Sequence, residues 1–454
     1  MPKKTPLPKK ATVRKHVNAD ALNRTVHQCF QKIPDHRCAK DTKISLADIL
    51  MAGYAMFQLK DPSLNAFDEN RRQSQPEAEN LKAIYGMQHV PADTTMADTI
   101  DFVSPDELRE PFNAVFNNFQ RSKGLEQMKL LGGYCLVGMD GTGSHSSEKI
   151  SSESCQKKVS RKTGKVTYYQ QVVGAAIVHP DQKAVLPLPP EMVVPQDGKN
   201  KNDCERNASR RSLRKIRKDH PKLPMIITED ALSANAPHIR DLQANNFRYI
   251  LAVKPGDHEF LYSQIDAASR RGEVEELEIQ DKENPQITHE FRFVNQVPLN
   301  QSNQDIQVNF IAYREISPKK TKQFNWITDL TVTKDNIFEL MRAGRARWKI
   351  ENETFNTLKN QGYHFERNFG MGEKHLSENF VHLMMLAFLV DQVQQLACPL
   401  FQAVLQKAKY KKYLWEEMRA AYKMLALDSM ETLFKSILYE HKRQKPVFMD
   451  AETT

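Results

Sequence analysis

Three acidic side chains stand where this chain could use them for chemistry. Asp140 closes the apolar run GGYCLVGMD (132–140), Asp230 closes KLPMIITED (222–230), and Glu351 sits in RWKIENETFNTLK (347–359). The first two runs read as buried strands, and in open α/β sheets ligands and catalytic groups gather at the C-terminal strand ends. Two strand-end aspartates joined by a glutamate from a packed helix would make an oxygen-rich site of the kind Mg²⁺ or Mn²⁺ prefers. Two such ions about 4 Å apart can activate an attacking oxygen and stabilise a leaving one in an in-line phosphoryl displacement.

Taken singly, each acid has a plainer role. An aspartate followed by Gly-Thr-Gly, as Asp140 is, commonly makes a turn. Glu351 alone reads as a solvated helix residue paired with Arg347, its i,i+4 neighbour. The force of the set lies in its joint occurrence. At 100° per residue Arg347 lies about 40° from Glu351 and about 120° from Glu353, so Glu351 shares the face of a guanidinium able to steady a phosphate. Trp348 and Phe355, on a neighbouring stripe, are expected to anchor the helix in the core. Lys359, about 80° around from Glu351, could reach a phosphate backbone or simply end the helix in solvent.

Elements must position these groups. Residues 1 to about 128 read as a basic arm and a small helical domain for DNA binding or dimerisation. Ser45 is the expected N-cap of ISLADILMAGYAMFQLK (44–60). SPDELREPFNAVFNNF (104–119) opens with a capping-box pattern, and Pro111 is expected to kink it. From 129 to 256 strands alternate with helices, the mark of an α/β sheet; a helix begins near Pro237 with Asn235 as its cap. Residues 257–328 look like a mostly-β insertion, 329–375 bring the helix carrying Glu351, and 376–454 are helical.

The 454 residues carry a formal charge of +9, which favours polyanionic partners, nucleic acid above all. No apolar run reaches a membrane-spanning length, and FVHLMMLAFLV (380–390) reads as a buried helix. The start of the chain is basic without an apolar core, unlike a secretory signal. Six scattered cysteines without a CxxC pair suit free thiols in a reducing compartment, so a cytoplasmic, nucleoid-associated protein with no membrane partner is expected.

MDGT at one strand end, ITEDA at a second and RARWKIENETFNTLK on a later helix together resemble the DDE transposases of the IS4 type. The resemblance spans roughly residues 130–375. It implies an α/β RNase H-like catalytic core with a β-rich insertion, flanked by N-terminal and C-terminal helical regions. It implies a catalytic and metal-binding triad of Asp140, Asp230 and Glu351, with Mg²⁺ or Mn²⁺ as cofactor and two ions in all. The family's tyrosine–arginine–glutamate–lysine signature is matched by Arg347 and Glu351. Gly344 stands in the tyrosine's place, and Lys359 falls one residue late. Arg347 and Lys359 would hold DNA phosphates. The implied partners are double-stranded DNA, as terminal inverted repeats and as target, and a second copy of the chain in a synaptic complex.

Two other classes compete. A domesticated, cleavage-inactive DNA-binding protein would keep the fold and the basic surface, whereas this chain keeps all three acids. An ATP-handling enzyme could use DGTG as a phosphate loop, but TEDALSAN supplies no second glycine-rich loop. Secondary candidates are the basic helix 202–220 and the basic stretch KKVSRKTGK (157–165), each a possible phosphate track or a solvated surface. Trp326 reads better as a core strand residue than as a base-stacking one. His145, Cys155 and Cys204 lack metal-ligand spacing.

Overall fold

The computed structural model describes residues 15–439 apart from 39, 41, 153, 154, 199 and 200. The basic arm up to Arg14 lies outside the described residues. The chain divides into two compact units: Met1–Ser122 with Asn360–His364 and Asn368–Thr454, and Lys123–Lys359 with Phe365–Arg367.

The first unit is helical: α1 (Ala19–Phe30), α2 (Leu46–Leu59), α3 (Leu64–Gln73), α4 (Gln75–Tyr85), α5 (Asp93–Ile100) and α6 (Arg109–Arg121), then α12 (Leu376–Ala397), α13 (Pro399–Ala408), α14 (Lys411–Met424) and α15 (Met430–Tyr439). Ser45 does cap α2, its hydroxyl accepting from Asp48 N at 3.1 Å. The capping box expected at Ser104 is absent: Pro105–Leu108 is a 3₁₀ turn, and Ser104 makes no side-chain cap bond. Because α6 starts only at Arg109, Pro111 falls in its first turn, where its missing N–H has no partner to lose. Every residue of α2 is buried, and α12 is a core helix despite being long and apolar enough to span a membrane, with 89% of its apolar window buried. The start of α12 is held by Asp101, whose carboxylate accepts from the backbone N–H groups of Glu373, Lys374, His375 and Leu376. Those are donors that no helical carbonyl could satisfy.

The second unit is built on one mixed sheet. Its strands are β1 (Lys129–Leu130), β2 (Tyr134–Ser147), β3 (Gln156–Val159), β4 (Val166–Val178), β5 (Leu186–Pro187), β6 (Glu191–Val193), β7 (Met225–Glu229), β8 (Arg248–Ala252), β9 (Glu275–Gln280), β10 (Thr288–Asn300), β11 (Asn303–Ile316) and β12 (Thr321–Thr328). The order is β3-β4-β2-β7-β8-β12-β11-β10-β9, with β1 on β2, and β5 and β6 on β4. β2 runs antiparallel to β4 but parallel to β7, and β7 is parallel to β8. Helices α7 (Lys201–Asp219), α8 (Ala236–Ala244), α9 (Glu259–Arg270), α10 (Ile337–Ala346) and α11 (Asn356–Asn360) accompany it.

The strands of 257–328 form no separate module, because β12 pairs with β8 through Ile327↔Leu251 and extends the core sheet. The helix carrying Glu351 is not continuous either: between α10 and α11 the segment Ile350–Phe355 is a π-helix. A π-helical turn holds more residues than an α turn, so the rotation per residue falls. Trp348 and Phe355 therefore part company. Phe355 is buried as expected, but Trp348 is 49% exposed and lies instead over the Arg347 guanidinium at 5.1 Å.

Candidate active site

Asp140 lies within β2 rather than at its end, because the antiparallel ladder with β4 continues to Ser147. The parallel ladder with β7 stops earlier, at Gly138↔Thr228, so Asp140 stands just past the parallel edge that Asp230 also follows. Asp230 comes directly after β7 and caps the turn Ala231–Ser233, accepting from Leu232 N at 3.0 Å.

Glycines let the helix come down on this part of the sheet. A Cβ at Gly138 would meet the Ile350 side chain at 3.4 Å and the Arg347 carbonyl at 3.6 Å. Gly174, the β4 residue paired with Asp140, lies under Phe355, whose ring would be 2.6 Å from an added Cβ. Phe355 is thus seated beside Asp140, and Glu351, one turn earlier, is brought to the same place.

There Arg347 Nη1 donates to Glu351 Oε1 at 2.9 Å and reaches Asp140 Oδ2 at 3.4 Å. The Arg347 side chain is 12% exposed and Asp140 23%. Burial and the hydrogen-bonding neighbour Glu351 push the Asp140 carboxyl up to about 7, against the opposing pull of Arg347. One cation thus holds together two acids that would otherwise repel.

Asp140 and Asp230 line one small cleft of about 20 Å³, together with Glu205, Arg206, Ser209, Glu229 and His238. Among the described residues, no three His, Cys, Asp or Glu side chains converge closely enough to hold a metal ion. The structure therefore brings Asp140, Glu351 and Arg347 into contact, and Asp230 lines the cleft that Asp140 also lines. The donor set is all carboxylate oxygen, the kind hard divalent cations take. Lys359, on α11, pairs with Glu366 at 2.8 Å. Gly344 has the Trp326 ring 2.6 Å from where its Cβ would be, so no larger side chain fits there without displacing that ring.

Sequence reasoning missed several residues of the cleft. Glu229 and His238 form a buried pair at 2.5 Å that ties β7 to α8. Burial opposes the charged imidazole, but Glu229 outweighs it and raises the His238 pKa. His238 is also the residue whose backbone N–H is capped by Asn235, as the cap signal required. Glu205 accepts from Gln171 at 2.7 Å over Gly141, on the opposite side of β2 from the pairing of Asp140 with Glu351. Much of the basic character of α7 is consumed internally: Arg210 pairs with Asp241, Arg211 and Lys215 with Glu191, and Arg217 donates to four backbone carbonyls. Arg206 remains exposed at the cleft. Trp326 is a core residue, stacked on Phe324 at 5.7 Å. Among the described residues none of the six cysteines forms a disulfide.

Among solved structures, that of the piggyBac transposase synaptic complex with hairpin DNA is similar at 11% identity, covering 97% of this chain and 86% of that one, with a TM-score of 0.40. No family profile and no curated protein matches the chain.

Proposed function

We propose that the protein is a DNA transposase of the DDE class and IS4 type, cutting the ends of an insertion sequence and joining them to target DNA. The observation that carries this reading is the contact among Asp140, Arg347 and Glu351. Residues from a central strand and a distant helix meet there around one guanidinium, beside the parallel edge that Asp230 follows. A mixed sheet with Asp140 on its central strand and Asp230 after the adjacent parallel strand supports an RNase H-like core.

Asp140, Asp230 and Glu351 would hold Mg²⁺ or Mn²⁺, two ions in all. When bound, such ions activate the attacking oxygen and stabilise the leaving one. The chain's own residues do the rest. Arg347, a planar fork of donors held by two acids, is placed to take a non-bridging phosphate oxygen of the scissile bond. Arg206, exposed at the mouth of the cleft, adds a second positive charge on the DNA side. Water would open the phosphodiester to leave a 3′-hydroxyl, and that hydroxyl would attack a phosphate of the target strand in the same site. Lys359 would steady a flanking phosphate once released from Glu366. The N-terminal region would read the terminal repeats, and two copies of the chain would pair the ends.

The test is cleavage of duplex DNA carrying the element's ends, with Mg²⁺ or Mn²⁺, by wild type and by Glu351→Gln. Cutting by wild type alone, with DNA bound by both, is the expected result. Equal cutting by both would remove Glu351 from the site. Binding without cutting by both would favour the cleavage-inactive relative.

A further inference from the structure

We infer that the β3–β4 hairpin is a clamp for the phosphate backbone of duplex DNA, engaging it about five to six base pairs from the scissile bond. This position rests on the active-site reading above; the clamp itself does not. Beyond Asp140, β2 continues to Ser147, and there β3 joins β4 at the edge of the sheet. The hairpin closes through a hydrogen-bonded turn in which Ser160 N donates to Lys165 O at 2.9 Å and Gly164 N to Ser160 O at 2.9 Å. Gly164 has φ +68°, a left-handed conformation that glycine adopts without strain. The turn holds Arg161 and Lys162 in solvent.

The hairpin and the end of β2 enclose an open cleft of about 940 Å³. Its lining includes Lys157, Lys158, Arg161 and Lys162, together with Ser146 and Tyr169. All four cations are exposed, and among the described residues none of them forms an ion pair. Lys165 is different, paired with Glu148 at 3.4 Å, and is left out of the count. Lysines on an edge strand also discourage strand addition, but one or two suffice for that. Four cations without ion-pair partners around a hydroxyl-bearing groove match the charge and hydrogen-bonding needs of a sugar–phosphate backbone. By contrast, the more basic helix α7 spends much of its charge inside the fold.

The distance follows from strand geometry. On β4 the six steps from Gly174, paired with Asp140, to Tyr168, paired with Lys157, span about 20 Å at ~3.3 Å per residue. At ~3.4 Å per base pair that is about five to six base pairs.

The experiment measures duplex binding by the full chain across a KCl series without divalent metal, then hydroxyl-radical footprinting on nicked ends. Lys157, Lys158, Arg161 and Lys162 are changed together to Gln; Arg161→Gln with Lys162→Gln tests the tip alone, and Lys319→Gln with Lys320→Gln on the β11–β12 turn is the control. Expected are a salt slope shallower by about 4 for the fourfold variant and about 2 for the tip pair, with no change for the control. Protection five to six base pairs from the nick should disappear with the slope. An unchanged slope in the folded tip variant overturns the clamp while leaving the cleavage reading intact. Tighter binding of single-stranded RNA than of duplex, with the same four-residue dependence, also overturns it. A shallower slope in a protein that cuts no DNA keeps the clamp and removes the cleavage reading.

Discussion

Arg347 and Asp140 meet across the sheet at 3.4 Å, and the same guanidinium nitrogen lies 2.9 Å from Glu351. This cation is what makes it tolerable to hold the two acids together. The fork geometry matters as well as the charge. Arg347→Lys is expected to keep DNA binding and lose about 10²-fold in single-turnover cleavage, because one ammonium cannot address both acids and a phosphate oxygen. Cleavage within a few-fold of wild type would show that charge alone suffices.

The π-helical segment sets which side chains face the sheet. Deleting Asn352, an exposed residue inside it, should restore α-helical periodicity and rotate Arg347 and Glu351 away if Phe355 stays seated on Gly174. The expected outcome is a folded protein, by circular dichroism, that binds DNA and does not cut it. Retained cutting would show that the extra residue has no role in placing the acids.

Gly344 lies against the Trp326 ring, and its packing can be tested by substitution. Gly344→Ala should destabilise by about 1–3 kcal/mol, since the new methyl would have the Trp326 ring 2.6 Å away. Trp326→Phe combined with Gly344→Ala should recover part of that loss beyond additivity, measured by denaturant unfolding in a double-mutant cycle. Strict additivity would mean the two side chains do not compete.

The helical unit carries its own pH signature. Burial pushes the Asp61 carboxyl from 3.8 to about 6, outweighing Arg419 and Lys423. A raised carboxyl binds its proton more tightly when folded, so its contribution is fully favourable below about pH 4. That contribution falls as pH rises through about 6 and stays low above it. Asp61→Asn should therefore be neutral at pH 4 and stabilising at pH 8, by up to about 3 kcal/mol. The comparison is of denaturant midpoints at the two pH values; an equal effect at both would exclude the ionisation as the cause.

What could be read from the sequence was local. Ser45 and Asn235 are caps because a short polar side chain before a helix accepts an orphan N–H, wherever that helix packs. The existence of the strand that carries Asp140 and of the one that ends before Asp230, the buried Phe355 and the core position of Trp326 follow from apolar periodicity, but not the run of β2 on to Ser147. The pairing of Arg347 with Glu351 follows from helix spacing and survives the π turn.

Other features were decided only by packing. Nothing local marks Ile350–Phe355 as π-helical; the segment is wedged between the contacts at Gly138 and Gly174, which lie far away in the chain. That is why Trp348 turned outward against the expectation from a regular helix. The Glu229–His238 pair, the internal use of the α7 arginines and the joining of β12 to β8 likewise depend on partners distant in sequence. The sequence by itself determined which residues could do the chemistry, because residue type and local spacing are properties of short segments. Only the tertiary structure decided which acids share one cation and which line one cleft. Burial and charge between remote segments exist only once the sheet has formed and the helix has been seated on it.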